Sequence, residues 1–152
     1  MYQVMVVDDE PMAASLIVNI IKQKYNKFEI MGTAYNGEEA LELIQEKENR
    51  ILLITDIQMP VMNGLKLVEE TKKQYPNVIS VIVSGYQEFE YAKQAIAFGV
   101  CDYILKPIVP SEFSKLITRI EEKLKQKYYK ERNTLIHKMV NEIPVDEKTL
   151  RR

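Results

Sequence analysis

A doubly wound α/β fold is predicted for this chain: five parallel strands in the order 2-1-3-4-5, helices on both faces of the sheet, and an extended C-terminal helix. Three observations lead there. Short apolar runs alternate with longer stretches of helical period along the sequence. Several of the short runs are apolar at successive positions, as strands covered on both faces must be. Each longer stretch is long enough for a crossover helix, and right-handed crossovers leave few compact arrangements.

The elements follow in order. Tyr2 to Val7 (YQVMVV) is the first strand, and Pro11 to Lys24 carries apolar residues at three- and four-residue spacing as the first helix. Phe28 to Ala34 is the second strand and Gly37 to Lys47 the second helix. The third strand is Ile51 to Thr55 (ILLIT), followed by a helix over Gly64 to Tyr75. Val78 to Val83 (VISVIV) and Glu88 to Phe98 form the fourth pair, and Asp102 to Leu105 (DYIL) is the fifth strand. Ser111 is the expected N-cap of a fifth helix, with Phe113, Leu116, Ile117, Ile120 and Leu124 behind it. Residues 1–124 are read as one domain and 125–152 as a helical extension or linker. In the later course of the fifth helix Leu124, Tyr128, Leu135 and Met139 keep a broken helical register up to Pro144. It reads either as a solvated helix or as a parallel coiled-coil seam, which Lys127 and Glu131 would interrupt.

Composition narrows the function classes. The chain has 152 residues, 46% of them apolar, enough for a core without metals or disulfides. Lys and Arg total 21 against 22 Asp and Glu, so no global basic field draws it to DNA or to a membrane. Its one cysteine, Cys101, excludes an intramolecular disulfide, and no leader of secretory type opens the sequence. No apolar run approaches the roughly 20 residues of a membrane span. A reducing cytoplasm is the expected setting.

In a doubly wound sheet, ligands sit at the C-terminal ends of the strands, where strand order reverses between the first and third. The first strand is followed there by Asp8, Asp9 and Glu10, and the third by Asp56. Adjacent strands lie about 4.8 Å apart, so these carboxylates crowd one another and repel unless a cation intervenes. An all-oxygen, partly exposed set suits Mg2+ rather than zinc, since neither Cys101 nor His137 falls in the cluster. Ser84 ends the fourth strand and Lys106 follows the fifth. Taken singly, Ser84 reads as a helix cap and Lys106 as a solvated lysine. At successive strand ends, a metal and an ammonium to neutralise oxygens, a hydroxyl donor and a carboxylate nucleophile make a phosphoryl site.

The stretches VMVVDDEP (Val4 to Pro11), ITDIQMPVMNG (Ile54 to Gly64) and VSGYQEFEYAKQAIAFGVCDYILKPI (Val83 to Ile108) resemble, in this order, the receiver domain of two-component response regulators, over about residues 1 to 124. The SGYxEFxYA and GVxDYxLKP runs are similar to regulators with an AraC-type pair of helix-turn-helix units. The resemblance implies a flavodoxin-like fold with Asp56 as phosphoacceptor for a sensor histidine kinase. It implies Mg2+ held by Asp8, Asp9, Asp56 and the backbone carbonyl of Gln58, and phosphoryl oxygens met by Lys106 and Ser84. Glu10 is then a solvent-facing acid at the start of the first helix. Ser84 and Tyr103 become a switch: the hydroxyl moves toward a bound phosphoryl oxygen and the ring turns into the vacated space. Gln58 and Tyr86 match positions that tune hydrolysis, and Lys106-Pro107 is a candidate cis peptide.

Two other classes are disfavoured. A phosphatase with an Asp nucleophile wants a general-acid Asp two residues on, where Gln58 stands; a nucleotide-binding domain wants a Gly-rich loop after the first strand, where Asp8-Asp9-Glu10-Pro11 stands. The expected role is a phosphorylation-dependent signalling module with self-phosphorylation and slow self-dephosphorylation but no separate substrate turnover. Residues 125–152 are too few for a helix-turn-helix pair, so DNA contact and transcriptional control are expected only through an output domain outside this chain. The alternative is a stand-alone receiver acting by protein-protein contacts. A homodimer formed on phosphorylation is also expected, through the fourth and fifth helices or the extended tail.

Overall fold

The structure is a computed structural model that describes residues 2–25, 27–45, 50–85 and 89–142. Strands β1 (Tyr2–Val7), β2 (Phe28–Ala34), β3 (Ile51–Thr55), β4 (Ile79–Ser84) and β5 (Asp102–Leu105) form one parallel sheet in the order β2-β1-β3-β4-β5. Helices α1 (Pro11–Lys24), α2 (Gly37–Gln45), α3 (Gly64–Gln74) and α4 (Phe89–Ala97) are the crossovers, and α5 (Pro110–Glu142) follows β5. This is the doubly wound architecture the sequence predicts.

The alternation of side chains along each strand sorts the helices by face. Met5 and Val7 of β1 and Ile51 and Leu53 of β3 pack with Ala40 and Ile44 of α2 and Leu67 of α3. The intervening Val4, Val6, Leu52 and Ile54 are also fully buried, and by the period of two they point to the opposite face. There α1, whose Ala14, Ile17 and Ile21 are buried, contacts β1 and β2. Toward the other edge, Ile57, Leu65, Val68, Ile82 and Ala95 make a second cluster joining α3, α4 and β4. β3 is buried at all five positions, and the continuous ILLIT run is explained by that double coverage.

Element ends differ from expectation where a local hydrogen bond decides. The fourth strand begins at Ile79 rather than Val78, because the Val78 N–H closes a turn onto the Tyr75 carbonyl at 3.0 Å. The fifth helix begins at Pro110, one residue before the expected cap Ser111; the Phe113 N–H already donates to the Val109 carbonyl at 2.9 Å. Proline suits that first position, since its missing N–H would have no helical partner anyway. The last residues expected in the second helix and the first in the fourth lie outside the described residues.

The chain divides into two compact units, Met1–Phe113 and Ser114–Arg152. In the second, Leu116, Ile117, Ile120 and Leu124 of α5 are buried. From Tyr129 onward every described side chain of α5 is exposed. Among the described residues no helix is long and apolar enough to cross a membrane.

Candidate functional site

β1 and β3 run side by side with Val7 opposite Thr55, so the next residues, Asp8 and Asp56, leave the sheet together. The Asp56 N–H donates to the Val7 carbonyl at 2.9 Å and the Asp8 N–H to that of Ala34 at 3.0 Å. Both carboxylates are buried, Asp8 at 1% and Asp56 at 8% exposure, while Asp9 is exposed. One ligand oxygen from each of the three lies within 4.8 Å of the others.

From the end of β5, Lys106 reaches the same point. Its Nζ donates to Asp8 Oδ2 at 2.9 Å and to Asp56 Oδ2 at 3.1 Å. The second oxygen of each acid accepts a backbone N–H: Asp8 Oδ1 from Glu10 at 2.9 Å and Asp56 Oδ1 from Ile57 at 2.7 Å. Burial pushes the Asp56 carboxyl above its ordinary value of 3.8, against the opposing pull of Lys106 and the Ile57 N–H. For Lys106 burial works against the charge, but the hydrogen bonds to Asp8 and Asp56 outweigh it and hold the ammonium above its usual 10.5. Two acids and one ammonium thus share a poorly solvated corner with a net negative charge.

The loop after β3 is built to hold Asp56 still. Thr55 Oγ1 donates to the Asp56 carbonyl at 2.8 Å, and the Gly64 N–H donates to the Ile57 carbonyl at 2.7 Å. A side chain at position 64 would run into the Asp56 carbonyl, so only glycine allows this approach. Between them the Met62 N–H donates back to the Pro60 carbonyl at 2.8 Å, a γ-turn with Val61 at its centre at φ 68°.

An open cleft of about 620 Å³ is lined by Asp9, Glu10, Asp56, Gln58, Met59, Asn63, Gly85 and Lys106. Of the residues singled out from sequence, Asp8, Asp9, Asp56 and Lys106 converge, and Gln58 lines the cleft with an exposed side chain. Glu10 is exposed at the N-cap of α1. Ser84 sits fully buried at the end of β4, and its Oγ has no hydrogen-bond partner among the described residues. Tyr103 pairs with Ile82 across the sheet, and its ring packs on the α3–α4 cluster rather than lining the cleft. Tyr86 lies outside the described residues. The Lys106-Pro107 bond is cis. Sequence reasoning missed Asn63, which lines the cleft and caps α3 by accepting the Lys66 N–H at 2.9 Å. An Asn-Gly pair opening an amphipathic stretch was the available signal.

The donor set fits a hard divalent cation. It is all carboxylate oxygen, close enough to share one ion and open to water on the Asp9 side. The bridging Lys106 ammonium already supplies one positive charge to this corner.

Strand order and cleft together define a doubly wound α/β protein with an acidic, cation-ready pocket at its topological switch point. Residues 4–120 match the family model of the response regulator receiver domain. The chain belongs to that family. It is 36% identical over 126 residues to the transcriptional regulatory protein YesN of Bacillus subtilis, covering 83% of this chain and 34% of that protein. It is 38% identical over 120 residues to the transcriptional regulatory protein HptR of Staphylococcus aureus, covering 79% of this chain and 46% of HptR. The chain therefore spans about a third to a half of these relatives. The REC domain of AraT, a response regulator from Geobacillus stearothermophilus, superposes with a TM-score of 0.75 at 34% identity, covering 84% of this chain and 98% of that one. Receiver domains are phosphoacceptors rather than enzymes that turn over a substrate; sensor histidine kinases phosphorylate them, and they bind Mg2+ at such an acidic pocket.

Proposed function

We propose that Asp56 is the phosphoacceptor of this receiver. The observation that carries the reading is Lys106 Nζ bridging Asp8 and Asp56 at 2.9 and 3.1 Å, with Ser84, whose buried hydroxyl is unpaired among the described residues, at the end of the adjacent strand β4. The carboxylate of Asp56 attacks phosphorus; an O–P bond forms as the bond from phosphorus to the donor's imidazole nitrogen breaks, leaving an acyl phosphate. The Ile57 N–H fixes one carboxylate oxygen and so sets the direction of attack. The Lys106 ammonium is placed to move from the carboxylates to a phosphoryl oxygen as a charge-assisted donor. Ser84 gains an acceptor in the acyl phosphate, and its movement is the first event of a switch completed by Tyr103. Asp8, Asp9, Asp56 and the Gln58 carbonyl would hold Mg2+, which would supply neutralisation of the anionic phosphoryl group. Gln58 and Tyr86 tune the access of water and hence slow self-dephosphorylation.

The wider reading follows. Residues 1–124 act as the receiver and 125–152 as a helical extension or linker in a cytoplasmic regulator, with a histidine kinase upstream. The output is transcriptional, through a DNA-binding domain of the AraC type outside this chain, with homodimerisation on phosphorylation. Incubation with Mg2+ and acetyl phosphate should add about 80 Da, an adduct lost in Asp56→Asn and in chelator. An adduct retained by Asp56→Asn would refute the assignment. Sedimentation with and without beryllofluoride tests the dimer, and identical monomers in both states would remove it.

A further inference from the structure

Two Asn-Gly pairs stand at neighbouring helix starts, Asn36–Gly37 at α2 and Asn63–Gly64 at α3. This dipeptide is chemically weak, because a glycine has no side chain to obstruct attack by its backbone nitrogen on the preceding carboxamide. In that attack the glycine nitrogen bonds to the asparagine Cγ, its proton joins the departing amide nitrogen, and ammonia leaves a succinimide. Water then opens either C–N bond of the ring, giving aspartate or a β-linked isoaspartate. One water is consumed and one ammonia released, with no oxidant or reductant.

The fold engages the attacking nitrogen and the carboxamide oxygen at both sites. The Gly37 N–H donates to the Met62 carbonyl at 3.0 Å and the Gly64 N–H to the Ile57 carbonyl at 2.7 Å. Asn36 Oδ1 accepts the Glu39 N–H at 2.9 Å and Asn63 Oδ1 the Lys66 N–H at 2.9 Å, which ties each carboxamide to the first turn of its helix. Both glycines are buried. The two pairs are also mechanically joined, since the carbonyl that holds Gly37 belongs to Met62, the residue before Asn63. Opening the loop between β3 and α3 releases both.

We propose that Asn36–Gly37 and Asn63–Gly64 are latent deamidation sites that the folded chain keeps closed, and that conversion to isoaspartate after unfolding prevents the phosphoacceptor corner from re-forming. The second half follows from close packing. A β-linkage inserts one extra carbon into the backbone at the point where the chain has least room. At position 64 even a Cβ would strike the Asp56 carbonyl and the backbone of Ile57, and at position 37 it would meet Met62. A lengthened chain cannot keep the Gly64 N–H on the Ile57 carbonyl, and that bond orients the segment carrying Asp56.

The test needs no phosphorylation, so its failure is distinct from failure of the functional reading. The native chain and the chain in guanidinium chloride are incubated at mildly alkaline pH, and ammonia release, a gain of about 1 Da per site and isoaspartate in mapped peptides are followed. Native deamidation at both sites should be slower on the order of tenfold or more, because it must wait for local opening. On removal of denaturant, the refolded fraction, read by near-UV circular dichroism, should fall in step with isoaspartate content. The Asn36→Ser/Asn63→Ser variant, which keeps capping oxygens but has no carboxamide to attack, should refold fully after the same treatment. Equal rates in native and denatured chain, or full refolding of wild-type chain carrying isoaspartate at both sites, would overturn the proposal; both readings stand on wild type alone if the double variant does not fold.

Discussion

At Asp56 burial opposes the negative charge more strongly than Lys106 and the Ile57 N–H support it, so the folded carboxyl lies above 3.8. The folded chain then binds this proton more tightly than the unfolded chain does. Stability from the neutral carboxyl is present below 3.8 and is lost as pH rises through the raised folded value. In chelator at neutral pH, Asp56→Asn should therefore melt a few degrees above wild type, and the gap should close as pH is taken below 3.8. A calorimetric midpoint below wild type at neutral pH would mean that pairing with Lys106 outweighs burial. Lys106→Met has the opposite sign, because it leaves Asp8 and Asp56 to face each other unneutralised. Its side chain is 25% exposed, so the cost in chelator should be about 1–3 kcal/mol, short of the full penalty for a broken buried pair. Urea titrations with and without Mg2+ check this, and Mg2+ should restore part of the loss by binding only the folded chain. The meeting of Asp8, Asp56 and Lys106 was legible in the sequence because each follows a strand whose neighbours are predictable. Asn63 was not, because whether a helix cap faces the cleft depends on how the preceding loop turns, and no periodicity records that.

Most strand limits were readable for a related reason. Apolar runs such as ILLIT and VMVV are direct traces of burial on two faces, whereas the starts of β4 and α5 are set by single backbone hydrogen bonds from Val78 and Phe113 that leave no pattern. The loop joining β3 to α3 carries the one feature that sequence rules argue against: Val61, a β-branched residue, at φ 68°. Its side chain is 76% exposed, so little packing compensates for the left-handed backbone. The strain maintains the γ-turn that lets the Met62 carbonyl hold Gly37 and Gly64 approach Asp56. Val61→Gly removes the steric cost while adding freedom to the unfolded chain, and the balance should favour the variant by about 1 kcal/mol. Denaturant midpoints at unchanged slope would measure it. A destabilised variant would show that Val61 is held by packing absent from this structure.

Across the molecule, cooperative stability should track burial along α5 rather than the length of the helix. Leu116, Ile117, Ile120 and Leu124 are buried, while Leu135, Ile136 and Met139 are 60%, 49% and 50% exposed on the same continuous helix. A solvated helix gains little from its apolar residues, since a helix in water depends on packing for most of its stability. Ile120→Ala should therefore cost about 2–5 kcal/mol, and Leu135→Ala less than about 0.5 kcal/mol, both read from urea unfolding of the dilute chain. The contrast also bears on the dimer in the proposed function. If the exposed stretch pairs with a second copy, the cost of Leu135→Ala becomes concentration-dependent, rising as protein is added, because a residue buried only in the assembly contributes only when the assembly forms. A penalty for Leu135→Ala that matches that of Ile120→Ala at every concentration fits neither case and would mean that this residue is covered within the single chain.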